Sequence, residues 1–236
     1  MIKLYSFGPH LNVPDPSPFV LKINFLLKVS KIPFEIVSGT QNLRTAPKGK
    51  LPYIEDGDKT ITDSFFIEKY LQEEYQFDVN AHLAPEQRAA SELICNGLEE
   101  RLYWCIVHFR WIYDSNWAVI NPTFFGDIPF PLNNIIPKIA RKGMIKAMHG
   151  QGIGRHTEQE ILQIAADQLT SISNLLDDKR YFYNDELSLL DVCTYSLLVQ
   201  ILRPSLPSPL VDLTRQHGNL VKFCENIHAT YYGEKD

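Results

Sequence analysis

The stretch Gly49-Lys50-Leu51-Pro52-Tyr53-Ile54-Glu55-Asp56-Gly57-Asp58-Lys59-Thr60-Ile61-Thr62-Asp63-Ser64 decides how the first part of this chain folds. Two short β-type runs flank Asp56-Gly57, a pair that favours the positive φ angles of a tight hairpin. Pro52 opens the first hairpin strand, where a missing N–H donor is tolerated. Asp63-Ser64 then leads into a helical pattern through Phe65, Ile67, Tyr70 and Leu71.

Toward the N-terminus, residues 2–7 form a short β-type run, followed by a segment rich in proline and turn formers. Ser17-Pro18 starts a helix, because serine can accept from free backbone donors and proline at the first position has none to satisfy. Phe19, Ile23, Leu26 and Leu27 continue it, and residues 33–37 read as a second strand. Strand, helix and strand over so few residues imply a parallel pair. The order β-α-β then β-β-α predicts a compact α/β domain with a four-stranded mixed sheet over residues 1–76. Residues 77–84 read as a polar linker, and residues 85–236 as an all-α domain.

Within that second part, residues 85–117 predict one long helix, with Leu102, Ile106, Phe109 and Tyr113 on one face and Trp104, His108 and Trp111 near another. Such an aromatic stripe is more often core than pocket. Residues 121–137 carry four prolines and read as irregular, and Lys138, Arg141, Lys142 and Lys146 as a solvated basic helix face. The glycine-histidine segment 149–156 follows no strand and ends in neither Lys-Ser nor Lys-Thr, so it reads as a turn and not a phosphate loop. Thr157-x-x-Glu160 and Ser188-x-x-Asp191 have capping-box spacing, the second ahead of an apolar helix.

The 236 residues are 44% hydrophobic and 22% charged, with a net charge of −5. That balance fits a globular chain and gives no basic surface for nucleic acid. The four cysteines, Cys95, Cys105, Cys193 and Cys224, form no CxxC pair, so buried free thiols are expected and no metal site is. No basic segment precedes an apolar run at the N-terminus, and no apolar stretch approaches the ~20 residues that span a bilayer. A cytoplasmic protein without a membrane span is therefore expected.

Gly49 to Ile54, the Asp-Gly hairpin and Asp63-Ser64 before a helix, in this order and spacing, resemble the glutathione S-transferase superfamily. The resemblance implies an α/β thioredoxin-like N-terminal domain plus an all-α C-terminal domain, the glutathione-transferase fold, acting as a homodimer with glutathione as co-substrate. It further implies a cis bond before Pro52, with Leu51 pairing its backbone with the cysteinyl unit of glutathione. Asp63 and Ser64 would receive the γ-glutamyl end, with Lys50 a carboxylate partner. Ser17 stands where the family places a serine or cysteine that stabilises the thiolate, although a helix cap alone would also account for it. Tyr5, on the first strand, is the alternative donor. Ser17-Pro18-Phe19-Val20 is similar to a glutaredoxin redox motif with both sulfurs missing, which disfavours disulfide reduction.

The glycine-histidine segment, Tyr181-Phe182-Tyr183 and residues 187–191 resemble a narrower branch, the failed-axon-connections group and its bacterial relatives, akin to metaxins. Members often carry cysteine where this chain has Val20. The implied function is conjugation of the glutathione thiolate to a small-molecule, apolar electrophile, or, alternatively, a non-catalytic binding role on the same fold.

Overall fold

A computed structural model describes residues 1–233, so residues 234–236, the end of the expected helical domain, lie outside the described residues. The N-terminal part holds the strands β1 (Ile2–Ser6), β2 (Phe34–Ser38), β3 (Tyr53–Asp56) and β4 (Lys59–Thr62). They form one mixed sheet in the order β2-β1-β3-β4, with β2 parallel and β3 antiparallel to β1. The hairpin closes through Asp56 opposite Lys59, so its two-residue loop is Gly57-Asp58. Gly57 takes φ 62°, a region that costs glycine nothing.

Helix α1 (Pro18–Ser30) is buried along nearly its whole length, including Lys22 and Asn24. It lies against β1 and α3 on the sheet side and against α9 of the helical half, which leaves Val20 to Leu27 no solvent face. α2 (Asn42–Thr45) is a single turn, and α3 (Ser64–Glu74) buries Ile67 and Leu71. Phe65, expected on that apolar stripe, is 53% exposed, as is its neighbour Phe66 at 54%. Helical periodicity turns both away from the buried Ile67 and Leu71 face.

The helical half comprises α4 (Pro85–Gly97), α5 (Tyr103–Trp111), α6 (Asp114–Phe125), α7 (Ile136–Gln151), α8 (Glu158–Leu176), α9 (Leu189–Leu202), α10 (Pro209–Arg215) and α11 (Gly218–Tyr232). The single helix expected over residues 85–117 is corrected in two ways. A π-helical stretch, Leu98–Leu102, joins α4 to α5, and the chain breaks direction at Ile112-Tyr113. The break is held by Arg141 of α7, which donates to the carbonyls of Trp111 (2.9 Å) and Ile112 (2.6 Å) and to Asp114 (2.7 Å). A cation on the last carbonyls of one helix and the first acidic residue of the next stabilises both ends. Arg141 therefore does not belong to a solvated basic face. Nor is the whole of residues 121–137 irregular: α6 carries Pro122 and runs on to Phe125, and α7 starts at Ile136 with Pro137 in its first turn.

α9 is buried from Leu189 to Ile201, as expected of a helix that is apolar all round. Asp191 organises its start. Its carboxylate accepts from the Phe182 N–H (2.9 Å), the Ser188 N–H (2.8 Å) and the Ser188 hydroxyl (2.6 Å), and burial pushes its pKa up to about 6. Thr157 and Glu160 make the reciprocal cap at the start of α8, fully in solvent reach. All four cysteines are free and buried. Among the described residues no helix is long and apolar enough to cross a membrane.

The two caps should differ in energy. Asp191→Ala strands three buried donors and lowers stability by about 3 kcal/mol, whereas Thr157→Ala costs about 1 kcal/mol. Urea unfolding of the two variants measures this, and equal losses would contradict it.

Candidate functional site

A cleft of about 310 Å³ opens between the sheet and the helical half. Lys50, Leu51, Pro52, Asp63 and Ser64 all border it, so the structure brings together the five residues expected to bind ligand. The Leu51–Pro52 peptide is cis. The Asp63 N–H donates to the Pro52 carbonyl (3.3 Å), which ties the start of β3 to the start of α3. Leu51 and Tyr53 pack with Val20 and Ala46 in a small apolar cluster of their own. Asp63 caps α3 through Oδ1, which accepts from the Phe65 N–H (3.0 Å). Its backbone sits at φ 78°, ψ 134°, a strained position for a residue with a side chain. Such strain costs about 1–3 kcal/mol and collects at ligand sites.

Ser17 stands apart from these five. It caps α1, its Oγ accepting from the Val20 N–H (3.3 Å), and it does not border the cleft itself. Accepting a bond leaves the hydroxyl proton available to another acceptor. The alternative donor, Tyr5, is committed elsewhere: its hydroxyl donates to Glu55 (2.7 Å), its ring stacks on Tyr53, and the bond to Glu55 together with burial pushes its pKa up to about 12. A phenol whose proton is held by a carboxylate is a poor donor to sulfur.

The opposite wall of the cleft was not expected. Lys22, in the middle of α1, reaches Glu99 of the π-helical stretch at 2.7 Å, with side chains only 6% and 18% exposed. Burial pulls the Lys22 ammonium toward neutrality, but Glu99, Cys193 and Glu68 outweigh it and leave its pKa raised. Glu68, one turn into α3, is pushed up by burial against the opposing pull of Lys22. The signal for this cluster was a lysine in the middle of a largely apolar helix, which must find a partner. Cys95 borders the cleft, and the neighbouring buried Cys193 thiol, which donates to the Cys95 carbonyl (3.9 Å), is held well above its ordinary pKa.

One aromatic ring joins the lining. Phe19, which borders the cleft, meets Tyr103 of α5 edge-on at 4.9 Å, and Phe7 meets Phe124 of α6 at 6.2 Å. Of the face expected to run through Leu102, Ile106, Phe109 and Tyr113, the first three are buried, while Tyr113 is half-buried and donates to Glu158 at the surface (2.6 Å).

The buried pair yields a directional test. Lys22→Ala leaves Glu99 without its counter-ion and costs about 3 kcal/mol, while the double change Lys22→Met with Glu99→Leu recovers most of that. Denaturant midpoints of the three proteins report it, and a double variant as unstable as Lys22→Ala would refute it.

Two family descriptions match the chain, glutathione S-transferase N-terminal domain over residues 18–116 and glutathione S-transferase C-terminal domain over residues 165–227. An isoprene-epoxide–glutathione S-transferase of Rhodococcus sp. (strain AD45) is 31% identical over 98% of this chain and 99% of its own length. Failed axon connections of Drosophila melanogaster is 32% identical over 94% of this chain, and metaxin-1 of Mus musculus 28% over 82%. The chain spans only 56% and 63% of those two relatives. Among solved structures, the β-etherase LigF of Sphingobium sp. strain SYK-6 aligns with a TM-score of 0.66 at 20% identity, covering 97% of this chain and 95% of that one. A Ceriporiopsis subvermispora glutathione S-transferase in complex with glutathione aligns at 0.63 and 17% identity, over 100% and 99% of the two chains. Near-complete coverage by the Rhodococcus relative, the two domain matches in chain order and the shared fold establish that this chain belongs to the glutathione S-transferase family.

Proposed function

We propose that the chain is a glutathione-dependent transferase that works in the cytoplasm as a homodimer, with residues 1–76 and 85–236 as its two domains. Leu51 pairs its backbone with the cysteinyl unit of glutathione. Asp63 and Ser64 take the γ-glutamyl ammonium and carboxylate, the second helped by the N-terminus of α3. Lys50 faces the remaining carboxylate as a counter-charge. The Ser17 hydroxyl donates to the sulfur and lowers the thiol pKa, so that thiolate forms near neutral pH with its proton released to solvent. The thiolate then attacks a carbon of a small apolar electrophile: a C–S bond forms as the bond to the leaving group breaks. With a strained cyclic ether such as the substrate in the Rhodococcus relative's name, the ring C–O bond breaks and the alkoxide takes a proton from water.

One observation carries this reading. Lys50, Leu51, Pro52, Asp63 and Ser64 border a single cleft of about 310 Å³, a volume within the usual range for small-ligand sites. The hydrogen bond from Asp63 to Pro52 holds the two halves of that surface in register. A second reading, a binding protein without turnover, is favoured by the charged wall of Lys22, Glu68 and Glu99, which offers nothing to an apolar substrate, and by the place of Ser17 outside the lining.

Calorimetry with glutathione, alongside conjugation of a general chloronitroarene electrophile and of a small alkene oxide, separates the two. The transferase reading expects binding, turnover, and a kcat lower by about tenfold or more in Ser17→Ala. It also expects Asp63→Ala to weaken glutathione binding about tenfold, the loss of one charge-assisted bond. Binding without conjugation supports the second reading, and no binding at millimolar glutathione removes both the ligand and the reaction. Sedimentation tests the dimer separately. The exposed Phe65–Phe66 pair beside the site is apolar surface that a second copy can cover, and a monomer at micromolar concentration would exclude that assembly.

A further inference from the structure

If Ser17 is to meet a sulfur, something must fix where its hydroxyl points, because the segment before it is long and irregular, with Gly8, Leu11 and Asn12 all at positive φ. The Val20 N–H bonds the hydroxyl itself, and one buried carboxylate holds the backbone that carries it. Asp15, 3% exposed, accepts from the Ser17 N–H through Oδ1 (2.8 Å), and through Oδ2 from the N–H groups of Phe7 (2.9 Å) and Gly8 (3.1 Å) just beyond β1. The end of the first strand and the cap of α1 are therefore bonded to the same side chain. The carbonyls between them are gripped from the helical half. Gln200 of α9 donates to the Asp15 carbonyl (2.8 Å), and Arg110 of α5 donates to the Pro16 carbonyl (2.7 Å). A second arm of Arg110 braces Gln200 itself, at Oε1 (2.9 Å) and at its carbonyl (3.3 Å). Arg110 and Gln200 are both buried.

We propose that Asp15, clamped by Arg110 and Gln200, is the positioning residue for the Ser17 hydroxyl, so that the helical half sets the thiolate-stabilising geometry of the sheet half. This rests on the transferase reading of Ser17. Its physical content is that the backbone around Ser17 is fixed through donors on one side and acceptors on the other, so neither Pro16 nor Ser17 can rotate without breaking a buried bond. Buried charged groups are also where a lost partner costs most. Mere glue between the two halves would use the same bonds, but its loss would lower stability without reaching Ser17. The two roles separate in a mutant cycle.

The experiment measures kcat and the glutathione KM of the full chain, with a chloronitroarene electrophile, for Ser17→Ala, Asp15→Asn, Gln200→Leu and the doubles Ser17→Ala/Asp15→Asn and Ser17→Ala/Gln200→Leu. Positioning predicts that each clamp variant loses about tenfold in kcat with KM changed less than about twofold, and that the same change made on Ser17→Ala costs almost nothing more. Should Asp15→Asn fail to fold, Gln200→Leu keeps the carboxylate and carries the cycle alone. Losses that multiply in the doubles, or a KM that rises with kcat intact, overturn the proposal while leaving the transferase reading standing. A wild-type protein that neither binds nor turns over glutathione overturns both, and it does so before any substitution is made.

Discussion

From Val20 to Leu27 helix α1 has no face left for water, and much of the molecule is arranged around that fact. Leu21, Ile23, Phe25, Leu26 and Leu27 are all essentially inaccessible, and at about 2 kcal/mol each they contribute a gross burial term on the order of 10 kcal/mol. That term favours placing the helix between sheet and α9, but it obliges every polar group on α1 to find a partner inside the protein. Lys22 takes Glu99, and Asn24 takes the Tyr232 hydroxyl at 2.9 Å. Both partners come from the helical half, so the bonds that satisfy α1 also fix the two halves against each other.

The same constraint shapes the cleft. A π-helical stretch holds one more residue per turn than the hydrogen bonding of the flanking α4 and α5, and it brings Glu99 to the Lys22 side chain. Lys22 borders the cleft while paired, so charge is present on that wall without being free to move. On the sheet side, the Pro52 carbonyl accepts from Asp63, which otherwise would sit at a strained φ with less to hold it. The site is thus assembled from contacts that also close the fold, with Leu51, Pro52, Ser64, Lys22 and Glu68 buried while Lys50 and Asp63 stay exposed.

The chain order of the strands, the hairpin, the start of α1 and both capping pairs were legible because each rests on local chemistry: Asp-Gly, Ser-Pro, Thr-x-x-Glu and Ser-x-x-Asp satisfy backbone groups within a few residues. The five cleft residues were legible through a family resemblance carried by that same local pattern. What was not legible depends on partners far away in sequence. Arg141 ends α5 from nearly thirty residues on, and nothing in residues 103–117 announces the break at Tyr113. Lys22 was visible as an odd residue in an apolar run, but its partner on α4's extension was not. Asp15 looked like one more turn former in a proline-rich segment, and only its burial between β1 and α9 gives it three backbone donors and a gripped carbonyl.

These features divide the site into two regions of opposite character. At one end the charged groups of α1, α3 and the π-helical stretch face Asp63 and Ser64, an environment suited to a zwitterion and hostile to hydrocarbon. In the other, Phe19 of the cleft lining, edge-on to Tyr103, provides a ring that suits an apolar group. On the proposed reading a peptide thiol spans the first region, and its sulfur emerges toward the second, close to the start of α1. A hydroxyl at that junction works only if its direction is set independently of either ligand, since each region can hold its own occupant without the other. The Asp15 carboxylate, bonded to the Ser17 N–H, on a backbone whose Asp15 and Pro16 carbonyls are gripped by two helices that belong to neither the γ-glutamyl subsite nor the hairpin, meets that requirement.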